Sequence, residues 1–184
     1  MRFKQYLNEK ELSNEEILAL IEKDCKPFLT DWRKLKTDKF LMSGRKDDTF
    51  FTKKKVRKNR KPKSTPLSIH KLMNHWFHEK FGVKSRSNAV FCSFNEKLSN
   101  YYGKLFSIFP IGKYNAVSSK SISDLFVLFT NMQEVNHQEI IKAMEKGNYT
   151  DKLTYHENEI MITCKKYYMV DYLLTDYLLE NLKG

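Results

Sequence analysis

Polar and apolar positions fall into blocks along the chain, and the blocks predict its elements. Residues 1–12 read as a polar lead-in. Ser13-Asn14-Glu15-Glu16 has the form of a capping box, in which the Ser and Glu side chains satisfy each other's free N–H groups. Ile17, Leu18, Leu20 and Ile21 then supply a helical face to about Leu29. Residues 30–52 are mixed, with a short strand expected at Lys39–Met42 before Ser43-Gly44. Thr65-Pro66 opens a helix with Pro at its first position, faced by Ile69, Leu72, Met73, Trp76, Phe77 and Phe81 and ended by Gly82. A short helix is expected within Ser93–Tyr102, stopped by Gly103.

Lys104–Pro110 has the apolar content of a strand, and Pro110-Ile111-Gly112-Lys113 reads as a turn. Ser123-Asp124 can cap a helix through Phe129, and Asn136 caps another that runs to Gly147. Glu159–Ile162 and Tyr167–Val170 read as two β-rich pieces either side of Cys164, and residues 171–182 as a helix. The pattern is α+β, a mixed β core between N-terminal and C-terminal helices. It predicts a lead-in over 1–12 and one domain over 13–184.

Charge changes this picture at one place. The 184 residues carry 33 Lys+Arg and 22 Asp+Glu, a net charge of +11. Residues 51–90 hold 12 of the basic residues against a single acid, Glu79, so the rest of the chain is neutral. Lys53, Lys54, Lys55, Arg57, Lys58, Arg60, Lys61 and Lys63 put eight cations into eleven positions. Such a run repels itself and belongs on the surface, as a loop or an exposed strand edge. It suits an anion: nucleic acid, nucleotide phosphates or an acidic partner. A solvated loop that aids solubility is the competing reading, and few aromatics interleave with the lysines.

Several chemistries are excluded or weakened. Apolar runs are only a few residues long, so no transmembrane helix and no membrane partner are expected. Met1–Leu7 is too polar for a secretory signal peptide. Cys25, Cys92 and Cys164 are widely spaced, which argues against disulfides or a zinc cluster and for a reducing cytosol. Cys92 reads as a core thiol. His70, His75, His78, His137 and His156 form no HExxH, and no metal site is expected. Walker A, GxGxxG and GxSxG motifs are absent.

The informative stretch is His156-Glu157-Asn158-Glu159-Ile160-Met161-Ile162. On a strand, Glu157 and Glu159 would share a face and perturb each other's ionisation. A polar strand edge with two solvated acids is the alternative. Glu157-x-Glu159 before Ile160-Met161-Ile162, with Tyr167–Val170 after a short gap, resembles the third motif of the arginine-serine-glutamate ADP-ribosyltransferases. Val90-Phe91-Cys92-Ser93-Phe94, followed by a helix to Tyr101-Tyr102-Gly103, resembles the family's second motif. Ser-Thr-Ser stands there as Cys92-Ser93-Phe94, leaving Ser93 as the equivalent. The first motif, an Arg on a strand followed by Gly, is matched by Met42-Ser43-Gly44-Arg45 with the order reversed, and Arg57, Arg60 and Arg86 are rivals. The resemblance covers roughly residues 40 to 170.

The resemblance implies an ADP-ribosyltransferase-like mixed β core and NAD as a substrate. Glu159 would hold the ribose and Glu157 would orient or deprotonate the nucleophile. Ser93 would support Glu159 and Arg45 would bind the pyrophosphate. Phe91, Phe94 or Tyr102 would stack on nicotinamide, with core packing as the alternative for each. Phe3-Lys4-Gln5-Tyr6-Leu7-Asn8-Glu9 is similar to the start of many proteins of T-even-type tailed phages, and Leu7-x-Glu9 to the sites their prohead proteases cut. Together these imply a phage protein that modifies a host protein or nucleic acid in the host cytoplasm, with packaging in the virion as a variant. The alternative is an inactive relative whose basic face binds nucleic acid or a host defence factor. Acceptor and oligomeric state are left open.

Overall fold

Two long strands organise the chain. β4 (Lys104–Ser118) and β5 (Ile160–Asp171) pair antiparallel from Phe106↔Asp171 to Ser118↔Ile160. β1 (Met42–Arg45) adds to the free edge of β4. β2 (Phe51–Lys55) and β3 (Val90–Cys92) pair with successive stretches along the other edge of β5, at residues 166–170 and 160–162. Met42 and Ser93 exchange both backbone hydrogen bonds at 2.9 Å, so the sheet curls until β1 meets the end of β3. All pairings are antiparallel and the fold is α+β. This computed structural model describes residues 12–62, 65–125 and 136–183. The lead-in over 1–11, Lys63 and most of the helix expected to Phe129 lie outside them.

Side-chain alternation sorts the sheet into two cores. Ile160 and Ile162 face α1 (Asn14–Asp24), α2 (Lys26–Lys34) and α6 (Thr175–Leu182), while Met161 faces α3 (Leu67–Phe81) and α5 (His137–Lys146). The first core is built on Phe28, Trp32, Phe40, Phe94, Phe106 and Phe109, all at most 1% exposed. The second, smaller core gathers Ile69, Met73, Phe77, Val117, Ile140 and Met144. Burial of these side chains at about 25 cal/mol per Å² of apolar surface is the main source of stability. No helix among the described residues is long and apolar enough to cross a membrane.

The capping box forms as expected, with Glu16 N to Ser13 Oγ at 3.2 Å and Ser13 N to Glu16 Oε2 at 2.8 Å. Elsewhere the boundaries move. The helix expected to continue to Leu29 stops at Asp24, because Pro27 lacks the N–H that would continue it and instead starts α2. The strand expected at Lys39–Met42 begins only at Met42. Residues 110–113 are not a turn: β4 passes through them, with a register shift between Ile111 and Tyr114 and Gly112 at φ 68°. Opposite that bulge, the exposed Lys165 and Lys166 interrupt the apolar pattern without interrupting β5, so two expected pieces are one strand.

The short α4 (Glu96–Asn100) sits against β1 at unusually close range. A Cβ on Gly44 would lie 1.9 Å from the Ser99 carbonyl oxygen, and Gly103, at φ 130°, has Arg45 backbone 2.7 Å from the same test position. Gly44→Ala should therefore cost about 2–3 kcal/mol, since backbone must move to admit a methyl group. Chemical denaturation of the two proteins measures it, and an unchanged midpoint would contradict the packing.

Candidate carboxylate–arginine site

Glu159 stands one residue before β5, in phase with Met161, so its side chain points to the α3 side of the sheet. Its Oε1 accepts a 2.9 Å hydrogen bond from Arg86 Nη1, and the two side chains are only 18% and 11% exposed. Burial pushes the Glu159 carboxyl up to about 7; Arg86 and Arg60 pull against that, and Asp124 adds to it. Arg86 Cζ lies 4.9 Å from the centre of the Phe91 ring and Arg60 Cζ lies 4.7 Å from it. Burial, followed by the charges of Arg45 and Arg86, lowers the Arg60 pKa. Arg86 and Arg60 thus flank one carboxylate, with Arg45 in electrostatic range of Arg60, and among the described residues Nε of both Arg45 and Arg86 is buried without a hydrogen-bond partner.

The backbone around this cluster is pinned. Glu159 N donates to Ser123 O at 2.9 Å, and Asn158 Nδ2 donates to Ser119 O and Lys120 O at 3.1 and 2.9 Å. His156 Nε2 lies 2.9 Å from Ser118 Oγ. On the other side, Asn74 of α3 accepts from Arg86 N and Ser87 N, both at 3.1 Å. His70 Nε2 meets Ser87 Oγ at 2.9 Å. Arg60 N donates to Ser87 O at 3.0 Å, tying its segment to the loop that carries Arg86. Asn74, His70 and Asn158 therefore hold the arginines and the carboxylate in place.

The residues singled out in the sequence are distributed unequally around this site. Phe91 is half-buried within the cluster. Tyr102 lies at its rim, where burial and then the Asp124 and Glu159 charges raise its phenol pKa. Arg45 contributes a neighbouring positive charge, but Arg86, named only as a rival, is the arginine bonded to Glu159. Ser93 does not support the Glu159 side chain: its Oγ donates to the Glu157 carbonyl at 2.7 Å, because β3 ends beside the bend that precedes β5. Glu157 lies in that bend rather than on a strand, so it does not share the Glu159 face. It is exposed, and its Oε2 accepts from Asn95 Nδ2 at 3.3 Å. The acid that acts on Glu159 is Asp124.

Phe94 cannot stack on a ligand, since it is 0% exposed and packs in the first core. Cys92 is buried, and burial drives its thiol pKa up, as expected of a core thiol. In the basic run, Lys53 lies 3.6 Å from Asp24 Oδ2 and Lys54 pairs with Asp47. Lys55, Arg57, Lys58 and Lys61 have no ion pair among the described residues. An open hollow of about 590 Å³ beside the end of α2, lined by Trp32, Arg33, Lys36, Thr37, Asp38 and Lys183, is separate from the cluster and contains none of its residues. No family model, curated protein or solved structure matches the chain.

Because the folded Glu159 pKa is raised from 4.5 to about 7, its stabilising effect is complete below pH 4.5 and is lost as pH rises through 7. Glu159→Gln, which cannot ionise, should gain stability relative to wild type across that interval. Thermal denaturation at a series of pH values checks this, and a constant difference between the two proteins would refute it.

Proposed function

We propose that the chain is an ADP-ribosyltransferase-like protein that cleaves NAD and transfers ADP-ribose to a host macromolecule. The convergence of Glu159 with Arg60, Arg86 and the Phe91 ring, with Arg45 in electrostatic range of Arg60, carries this reading. The donor set suits NAD: guanidinium groups bind a pyrophosphate through two parallel hydrogen bonds, and among the described residues Nε of Arg45 and of Arg86 has no hydrogen-bond partner. Tyr102 at the rim offers a ring for nicotinamide, a task that Phe94 cannot perform.

Cleavage breaks the bond between nicotinamide N1 and ribose C1′, and nicotinamide leaves neutral with the bonding pair. Positive charge develops on the ribose, so an ionised carboxylate held beside it lowers the barrier. Glu159 takes that role, with Arg86 and the backbone bonds at Ser123 and Asn158 fixing its direction. The acceptor's hydroxyl or amine forms the new bond to C1′ and gives up its proton. In this reading Glu157, exposed in the bend before β5, takes that proton and passes it to water.

The second reading is an inactive relative that binds through its basic face. It is favoured by the Arg86–Glu159 bond, which engages the carboxylate, and by Ser93 serving the Glu157 carbonyl instead of the Glu159 side chain. Nicotinamide release separates the two. On the enzyme reading, cleavage should rise with pH through about 7 as Glu159 ionises. Glu159→Gln should lose about 100-fold or more of the rate while melting as a folded protein. Absence of NAD cleavage by the wild type, with and without host lysate, rejects the enzyme.

A further inference from the structure

The basic run and the carboxylate–arginine site are parts of one surface. Lys53, Lys55 and Arg57 fall at alternate positions of the edge strand β2 and its extension, all three exposed, roughly 6.6 Å apart along the chain. β2 and β3 occupy the same edge of β5, so this row of cations descends that edge toward the start of β3. Asn59 N to Asn88 Oδ1 and Arg60 N to Ser87 O, both at 3.0 Å, then fasten the run to the loop before β3. Arg60 is at once a member of the run and a member of the cluster around Phe91. At the Glu159 rim lies an exposed aromatic pair, Tyr101 and Tyr102, 85% and 56% exposed, with ring centres 5.3 Å apart.

We infer that this surface is a track for single-stranded nucleic acid, which its cations hold by the phosphates and Tyr101 holds by a stacked base. Four cations without ion pairs among the described residues supply a backbone grip with no base preference, and an exposed tyrosine face binds any unpaired base. An acidic protein would satisfy the lysines and arginines but gives no role to Tyr101, which supports neither core. The run meets the cluster at Arg60, so a bound strand brings an unpaired nucleotide to the rim of the Glu159 site. That last step, with single-stranded nucleic acid as the acceptor of ADP-ribose, rests on the transferase reading; the track does not.

The test is anisotropy with a labelled single-stranded oligonucleotide of about 20 nucleotides, titrated between about 50 and 200 mM salt. Binding should weaken steeply with salt. Replacing Lys55, Arg57, Lys58 and Lys61 together by Gln should weaken it about tenfold or more and flatten the logarithmic salt slope by about 3. Tyr101→Ala, a surface change, should cost about fivefold for the single strand and little for a duplex of the same sequence. No binding, binding indifferent to the fourfold variant, or a single strand and duplex bound alike with Tyr101→Ala without effect would overturn the track. Polyglutamate competing as well as the oligonucleotide would also overturn it, in favour of an acidic protein. Nicotinamide release is scored separately: its failure with oligonucleotide binding intact removes the transferase and leaves the track standing.

Discussion

The pairing of β4 with β5 is the constraint on which the remaining structure depends. Among the described residues those two strands alone reach from one end of the sheet to the other, and each other strand there is attached to one of them. The bulge at Ile111–Tyr114 bends the pair, and the bend lets β1 and β3, on opposite flanks, meet at Met42 and Ser93. That closure brings Arg45, at the end of β1, into electrostatic range of Arg60, whose guanidinium lies over Phe91 of β3. A straight ribbon would leave them on opposite edges. The site is thus a consequence of sheet curvature, and the two cores hold that curvature from both sides.

Much of the fold was legible from the chain because it depends on local chemistry. The capping box at Ser13–Glu16 and the Gly82 stop of α3, at φ 70°, act within a few residues. The bend in β4 and β5 was misread for one reason in both strands. Pro110, Gly112, Lys165 and Lys166 have the composition of punctuation, and only the pairing across the two strands shows that the ladder continues around them. Cys25 and Pro27 mark a break that a continuous apolar pattern concealed.

At the site, Glu159 was legible because it is in phase with a β-rich run, and Phe91 because it alternates with Val90 and Cys92. Phe94, three positions further on, has already left β3 and turned into the core, which periodicity does not reveal. Arg86 was indistinguishable from any surface arginine: its partner is 73 residues away in sequence. Asn74 and His70 looked like ordinary polar positions on a helix, although they are 8% and 5% exposed and bind the loop that carries Arg86. Contacts of this range follow from topology, and no spacing rule encodes them.

Energetics also favour a binding role over a structural one for the cluster. A buried ion pair returns little net stability, because desolvation of both charges offsets their attraction. Here the balance is worse than for an isolated pair, since Arg60 places like charge beside Arg86, and burial still holds the Glu159 pKa near 7 despite both arginines. A site selected for stability alone would replace these groups with apolar side chains of similar volume. Retaining three guanidinium groups, two of them with buried unpartnered Nε atoms, is costly in the free protein. On the proposed reading an anionic ligand would offset that cost, supplying acceptors to the arginines and spreading the positive charge. The basic run meets the same cluster through Arg60, so on the proposed reading it would raise the local concentration of anions there.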